Sequence, residues 1–244
     1  MDFLNADQPI QPSNMIHILG INQGNRPLTM DNPSAKILSP SDVIDQIEND
    51  CVVLDIRSNS EFTKGHIPDA YHIQWSSEEF IQRVGRILPP DVGIVLITGK
   101  DMDVGDVLQH MALLGLDQRV SGYLAGGMDL WIKSGLQQEE LSQMSVQKLG
   151  DYMEGNEDVI VLDVREPEEW DEKHIQGARH IALGSLHSQL VTLDVTDQDT
   201  IAVICASGQR SSTASSILLR NGFKNVYNVS GGMQAWSEME SQIK

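Results

Sequence analysis

Short apolar runs alternate along this chain with stretches in which apolar residues recur every three or four positions. The second half carries the pattern most clearly. "DVIVLDV" (158–164) and "TIAVIC" (Thr200 to Cys205) are continuous and rich in β-branched residues, as expected of strands buried on both faces. "NVYNV" (225–229) reads as a third, shorter strand. Around them lie helical spacings. "SVQKLGDYMEG" (145–155) has Ser145 placed to cap it, and "SSTASSILLRNGF" (211–223) stops near Gly222. "SGGMQAWSEM" (230–239) opens a last helix after a glycine turn. Such alternation predicts an α/β fold, with a mainly parallel sheet covered by helices on both faces.

The pattern occurs twice. "VVLDIRSNSEFTKGHIPDAYHI" (Val52 to Ile73) aligns without a gap on "IVLDVREPEEWDEKHIQGARHI" (Ile160 to Ile181). Leu54, Asp55, Arg57, Glu61, His66, Ile67, Ala70, His72 and Ile73 all recur as the same residue type. "LAGGMDLW" (Leu124 to Trp131) then aligns on "VSGGMQAW" (Val229 to Trp236). A repeat of about 105–110 residues can close a core of its own, so this is a duplicated domain and not a solenoid. The expected organisation is an N-terminal extension over 1–35, a first domain over 36–138 and a second over 139–244. The connecting stretch "SGLQQEELSQM" (134–144) is polar and carries no strand signal.

Composition narrows the partners. The chain has 244 residues and a formal net charge of −18, which argues against nucleic acid or an anionic membrane surface as a partner. A small anionic substrate would need a local positive pocket to overcome that field. There is no apolar run of about 18 residues that would suggest a membrane span, and the start "MDFLNADQPIQPSNM" does not resemble a secretory signal. Two cysteines cannot form a disulfide framework, and the expectation is a reducing, cytoplasmic setting. No His/Cys/Asp grouping has metal-ligand spacing, so neither metal nor cofactor is expected.

The candidate chemistry lies in "VICASGQRSSTASSILL" (Val203 to Leu219). Cys205 ends a strand, the place where open α/β sheets bind ligands. Ala206, Ser207, Gly208, Gln209, Arg210 and Ser211 follow as the turn into a helix. Glycine and small neighbours let backbone N–H groups turn inward as an anion nest, and the helix adds its positive end. Arg210 adds a full charge. All three effects favour negative charge on the Cys205 sulfur or on an anion bound to it. Cys205 is therefore the candidate nucleophile and residues 206–211 the candidate substrate cradle.

These residues carry a resemblance. "CASGQRS" resembles the active-site loop of the rhodanese (sulfurtransferase) family, "LDVREPEEWDEKHIQGARHI" its entry motif and "NVYNVSGGMQAW" its closing motif. The resemblance covers both repeats and implies two tandem rhodanese-like domains. It also implies that Cys205 takes a sulfane sulfur from thiosulfate or a persulfide and passes it, as a persulfide, to a thiophilic acceptor. The implied partners are small sulfur-containing anions, low-molecular-weight persulfides, and a protein sulfur donor or acceptor. A persulfide carrier or docking module in sulfide oxidation is the alternative. A cysteine phosphatase is a further one, against which the six-residue loop Cys205 to Arg210 counts, since related phosphatases have one residue more. The segment "QPSNMIHILGINQG" is similar to the tail of metallo-β-lactamase-type persulfide dioxygenases, some of which are fused to rhodanese domains, but that domain's metal ligands are absent.

The first repeat departs from the motif. Thr98 aligns with Cys205 and Asp103 with Arg210, while Gly99, Lys100 and Asp101 replace the small polar cradle. This half reads as catalytically inactive. Residues that persist in the half without a nucleophile are expected to be structural: Asp55 and Asp163 with Arg57 and Arg165 as ion pairs, His66 with His174, His72 with His180, and Trp131 with Trp236. Cys51 reads as a small packed hydrophobe, with a sulfur-relay role as the alternative. Gly231 and Gly232 read as a turn, because "SGGM" lacks the full phosphate-loop fingerprint.

Overall fold

The computed structural model describes residues 34–155 and 158–243, so the dioxygenase-like segment lies outside the described residues. Among the described residues ten strands form two sheets. The first contains β1 (Ile37–Leu38), β2 (Val52–Asp55), β3 (Tyr71–His72), β4 (Ile94–Ile97) and β5 (Val120–Leu124), in the order β1-β5-β4-β2-β3. The second contains β6 (Ser142–Met144), β7 (Val159–Asp163), β8 (Arg179–His180), β9 (Thr200–Ile204) and β10 (Asn225–Val229), in the order β6-β10-β9-β7-β8. Every pairing is parallel, and the strand order of one sheet repeats that of the other. Continuous apolar runs make this possible. β2 and β4 are buried at every position, as a parallel strand covered on both faces must be.

The helices start and stop where local chemistry dictates. Ser145 caps Val146–Glu154 by accepting the Lys148 N–H at 3.1 Å. Gln209–Arg220 is followed by Gly222 at φ 88°, a left-handed position that suits glycine. One expectation fails in the connecting stretch, where Ser142–Met144 forms β6 along one edge of the second sheet. Its two polar residues face solvent and only Met144 is buried, so a strand signal was never present in the side chains. The backbone pairing with β10 holds it.

The two sheets share a core. One cluster of buried apolar residues runs from Leu54 and Ile97 through Leu162 to Ile217. The helix Gln209–Arg220 sits at the junction, with Ser211 through Leu218 all buried. One side covers its own sheet, and the other meets the first domain. There the Ser212 hydroxyl lies 2.8 Å from His72 Nδ1, and the His72 N–H donates to Ser216 Oγ at 3.0 Å. At the far end Arg220 donates to the Asp69 carbonyl at 2.6 Å and stacks over the Tyr71 ring. Small residues allow two backbones this close, which explains the run "SSTASS".

Candidate functional site

β9 is the central strand of the second sheet, and Cys205 follows its last residue. The thiol is 1% exposed. The chain turns at Gly208, φ 101°, and enters the helix Gln209–Arg220. That turn aims the Gly208 N–H at Cys205 Sγ over 3.1 Å. Ser211 Oγ lies 3.4 Å from the same sulfur but 2.6 Å from Asn228 Oδ1. With one proton to give, the hydroxyl serves the shorter bond. Asn228 Nδ2 in turn donates to the Gly208 carbonyl at 3.3 Å. Asn228, buried in β10, thus ties the turn of the loop to the first turn of the helix that follows.

The closing glycines hold the loop from its other side. Met233 and Gln234, in the first turn of the last helix, donate N–H bonds to the carbonyls of Cys205 (2.8 Å) and Ala206 (3.1 Å). Gly231 and Gly232 have φ of 77° and 56° and form a turn, as read from the sequence. A Cβ on Gly232 would lie 2.3 Å from the Cys205 oxygen, so only glycine lets the two segments meet.

Above the sulfur is a cleft of about 480 Å³. Ala206, Ser207, Gln209 and Arg210 line it, while Gly208 and Ser211 are buried beneath. The Arg210 guanidinium is held by Glu169 through two bonds of 2.5 and 2.7 Å. This pairing pulls the Glu169 carboxyl below its usual range and pushes Arg210 above its own. Sequence reasoning placed Arg210 in the cradle but missed its partner. It also missed Asn228, whose signal was a polar residue between Tyr227 and Val229 in the strand "NVYNV". The far wall was missed too. It comes from the first domain and includes Ser76, Ser77, Glu79 and Arg83. The first domain also reaches the loop itself, where Asn59 Nδ2 lies 3.4 Å from the Gly208 carbonyl.

A larger cavity of about 1000 Å³ opens over the first domain's own loop, lined by Thr98, Gly99, Lys100 and Asp103 among others. Among the described residues no cysteine lines it. Asp103 caps the helix Val104–Ala112, and its carboxylate accepts the Gly105 N–H at 2.8 Å. An acidic side chain occupies the helix end that an anion would use.

The persistent pairs are scaffolding in both halves. Arg57 and Arg165 each fork onto the buried Asp two residues earlier, at 2.6 and 2.7 Å, and each also donates to a carbonyl, of Gly65 and Lys173. His66 and His72 stack on Phe62, and His174 and His180 on Trp170. Trp131 donates its indole N–H to the Gln137 carbonyl at 2.7 Å, and Trp236 is buried. Cys51 packs beside Gln46 and Ser121, each 3.4 Å from its sulfur, and does not line the Cys205 cleft.

The rhodanese-like domain model matches residues 39–134 and again 145–239. The chain belongs to the rhodanese-like family. A putative sulfurtransferase, YtwF of Bacillus subtilis (strain 168), is 40% identical over 97 residues, covering 40% of this chain and 91% of that protein. The putative sulfur carrier protein YrkF of the same organism is 36% identical over 97 residues, which cover 40% of this chain and 51% of YrkF. Among solved structures, a rhodanese-related protein from Thermoplasma volcanium is 31% identical with a TM-score of 0.36, covering 40% of this chain and 92% of that one. Each of these similarities spans about one domain's worth of this rhodanese tandem.

Proposed function

We propose that the protein is a sulfurtransferase with one working site, at Cys205. The observation that carries this reading is the Gly208 N–H aimed at a sulfur that sits at a helix N-terminus and beneath a cleft. The cysteine thiolate attacks the outer sulfur of a donor R–S–S⁻. The S–S bond of the donor breaks, R–S⁻ leaves, and Cys205 carries the persulfide. The Gly208 N–H and the helix end stabilise the charge that the terminal sulfur then bears. A thiolate acceptor attacks that sulfur, the Cys205–sulfur bond breaks, and the cysteine thiolate returns. Thiosulfate enters the same scheme with sulfite leaving.

The names of the two relatives, a sulfurtransferase and a sulfur carrier, agree with chemistry of this kind. Turnover separates the two roles: a carrier loads and holds, whereas a transferase cycles with a small acceptor. The test is intact-mass analysis after treatment with thiosulfate or a low-molecular-weight persulfide, followed by cyanide, sulfite or thiol. The expected result is one added sulfur that the acceptor removes. Cys205→Ser abolishes both, and Cys51→Ser keeps both. Loading that survives Cys205→Ser refutes the assignment.

A further inference from the structure

The cleft over Cys205 is lined by four carboxylates, Glu78, Glu79, Glu166 and Glu169, against two guanidiniums, Arg83 and Arg210. Both cations are already committed. Arg83 pairs with Glu79 at 2.9 Å, and Arg210 is forked by Glu169. Among the described residues no ion pair engages Glu78 or Glu166, and both are exposed at the mouth. Glu166 adds its field to that of Glu169 on Arg210. The local charge is therefore negative, on a chain whose net charge is −18. A dianion such as thiosulfate meets repulsion on entry and finds, among the described residues, no free cation inside.

Resting on the sulfurtransferase reading, we propose that this cleft selects a donor whose persulfide is carried beside a positive charge, an ammonium-bearing persulfide, with Glu78 and Glu166 as the residues that recognise the cation. One carboxylate comes from each domain, so the first domain helps to set the specificity of the second domain's cysteine. The reaction is unchanged: the cysteine takes the outer sulfur, and the aminothiolate leaves past the same two carboxylates. Two sources share this chemistry, a small aminothiol persulfide and a protein cysteine persulfide flanked by lysine or arginine.

The experiment uses the full chain and measures the rate of Cys205 persulfide formation in a single turnover, by quenched intact-mass analysis. The donors are cysteamine persulfide and 3-mercaptopropionate persulfide, which have the same length and differ in ammonium against carboxylate. A lysine-flanked cysteine peptide persulfide forms the third arm. The ammonium-bearing donors are expected to load faster, and added salt should narrow the gap between them and the carboxylate donor. At low ionic strength, Glu78→Gln with Glu166→Gln should cut the ratio of the cysteamine to the mercaptopropionate loading rate by about 30-fold, since the perthiolate charge is common to both donors and cancels. Taking each lost carboxylate as roughly 8 Å from the pendant group, whose charge differs by two units between the donors, gives this factor in a water-like medium. Both positions are exposed, and circular dichroism checks that the variant is folded. The faster of the two cationic arms identifies the source. Equal loading by the paired donors, or a preference for the carboxylate donor, overturns the inference and leaves the sulfurtransferase reading standing. No loading by any of the three also overturns the inference, and a failure of thiosulfate as well overturns the sulfurtransferase reading itself.

Discussion

Acid should loosen the junction between the two domains, chiefly through His72. His72 is fully buried, its Nε2 lies 3.1 Å from the Arg57 carbonyl, and its Nδ1 lies 2.8 Å from Ser212 Oγ. A carbonyl only accepts, so Nε2 bears the proton and Nδ1 accepts from the serine hydroxyl. The ring is neutral, and burial pushes its pKa down from 6.5 to about 4. The unfolded chain therefore binds a proton more readily than the folded one. The stabilisation is complete above pH 6.5 and is lost as the pH falls toward 4. At about 1.4 kcal/mol per pH unit, the loss across that window is about 3 kcal/mol. Burial also lowers the pKa of His66 and His187, and these add to the same slope. The depressed carboxylates Glu61 and Glu169 respond at lower pH, below their ordinary value of 4.5. The assay is urea unfolding at half-unit intervals between pH 7 and 4.5, comparing the parent with His72→Gln. The variant should be less stable at neutral pH and show a shallower fall with acid. Parallel profiles would show that His72 does not titrate against the fold.

Three further outcomes test the loop. Gly232→Ala must place a methyl group against the Cys205 carbonyl at a left-handed φ, so persulfide loading should drop by more than tenfold, with a stability loss of about 1–3 kcal/mol by thermal melting. Asn228→Ala leaves the Ser211 hydroxyl free to turn wholly to the sulfur and removes a bond to the Gly208 carbonyl; unfolding should cost about 1–3 kcal/mol less, and the alkylation rate of Cys205 should change. Thr98→Cys in a Cys205→Ser background should gain no persulfide by mass, because Asp103 holds the helix end. Loading near the parent's level would show that the first loop keeps a working cradle.

The fold was legible where periodicity is local. Buried parallel strands read as unbroken apolar runs, and the duplicated "LD-R" and "GGM" segments marked equivalent positions in each half. β6 was hidden because a three-residue edge strand with two exposed polar side chains has no pattern to show. Cys205 and its loop were legible because a nest needs glycine and small residues in sequence. The charge state of the cleft was not. Glu169 lies 41 positions from Arg210, and Glu79 and Arg83 belong to the other domain. Whether an arginine is free to bind an anion depends on which carboxylate packs beside it, a matter of tertiary contact that neighbouring sequence does not encode.

The two domains divergently use the same scaffold. In each, an Asp–Arg fork and two histidines stacked on an aromatic ring fix the segment after the second strand. In the second domain that segment supplies Glu169 to Arg210. In the first, the equivalent Glu61 faces no arginine at the matching loop position, where Asp103 stands, and accepts from Ser58 instead. The first domain's histidine takes on a different task. His72 reaches Ser212, while Asn59, in the same segment, reaches the Gly208 carbonyl. With Thr98 at the position equivalent to Cys205, the first domain still takes part in the candidate site. Its backbone holds the serine-rich helix whose first turn cradles Cys205, and its helix Phe80–Ile87 contributes Arg83 to the opposite wall of the cleft. Asn59 at the Gly208 carbonyl and Arg83 in the wall put first-domain side chains on two sides of the loop, so the geometry around Cys205 is built by both halves of the chain.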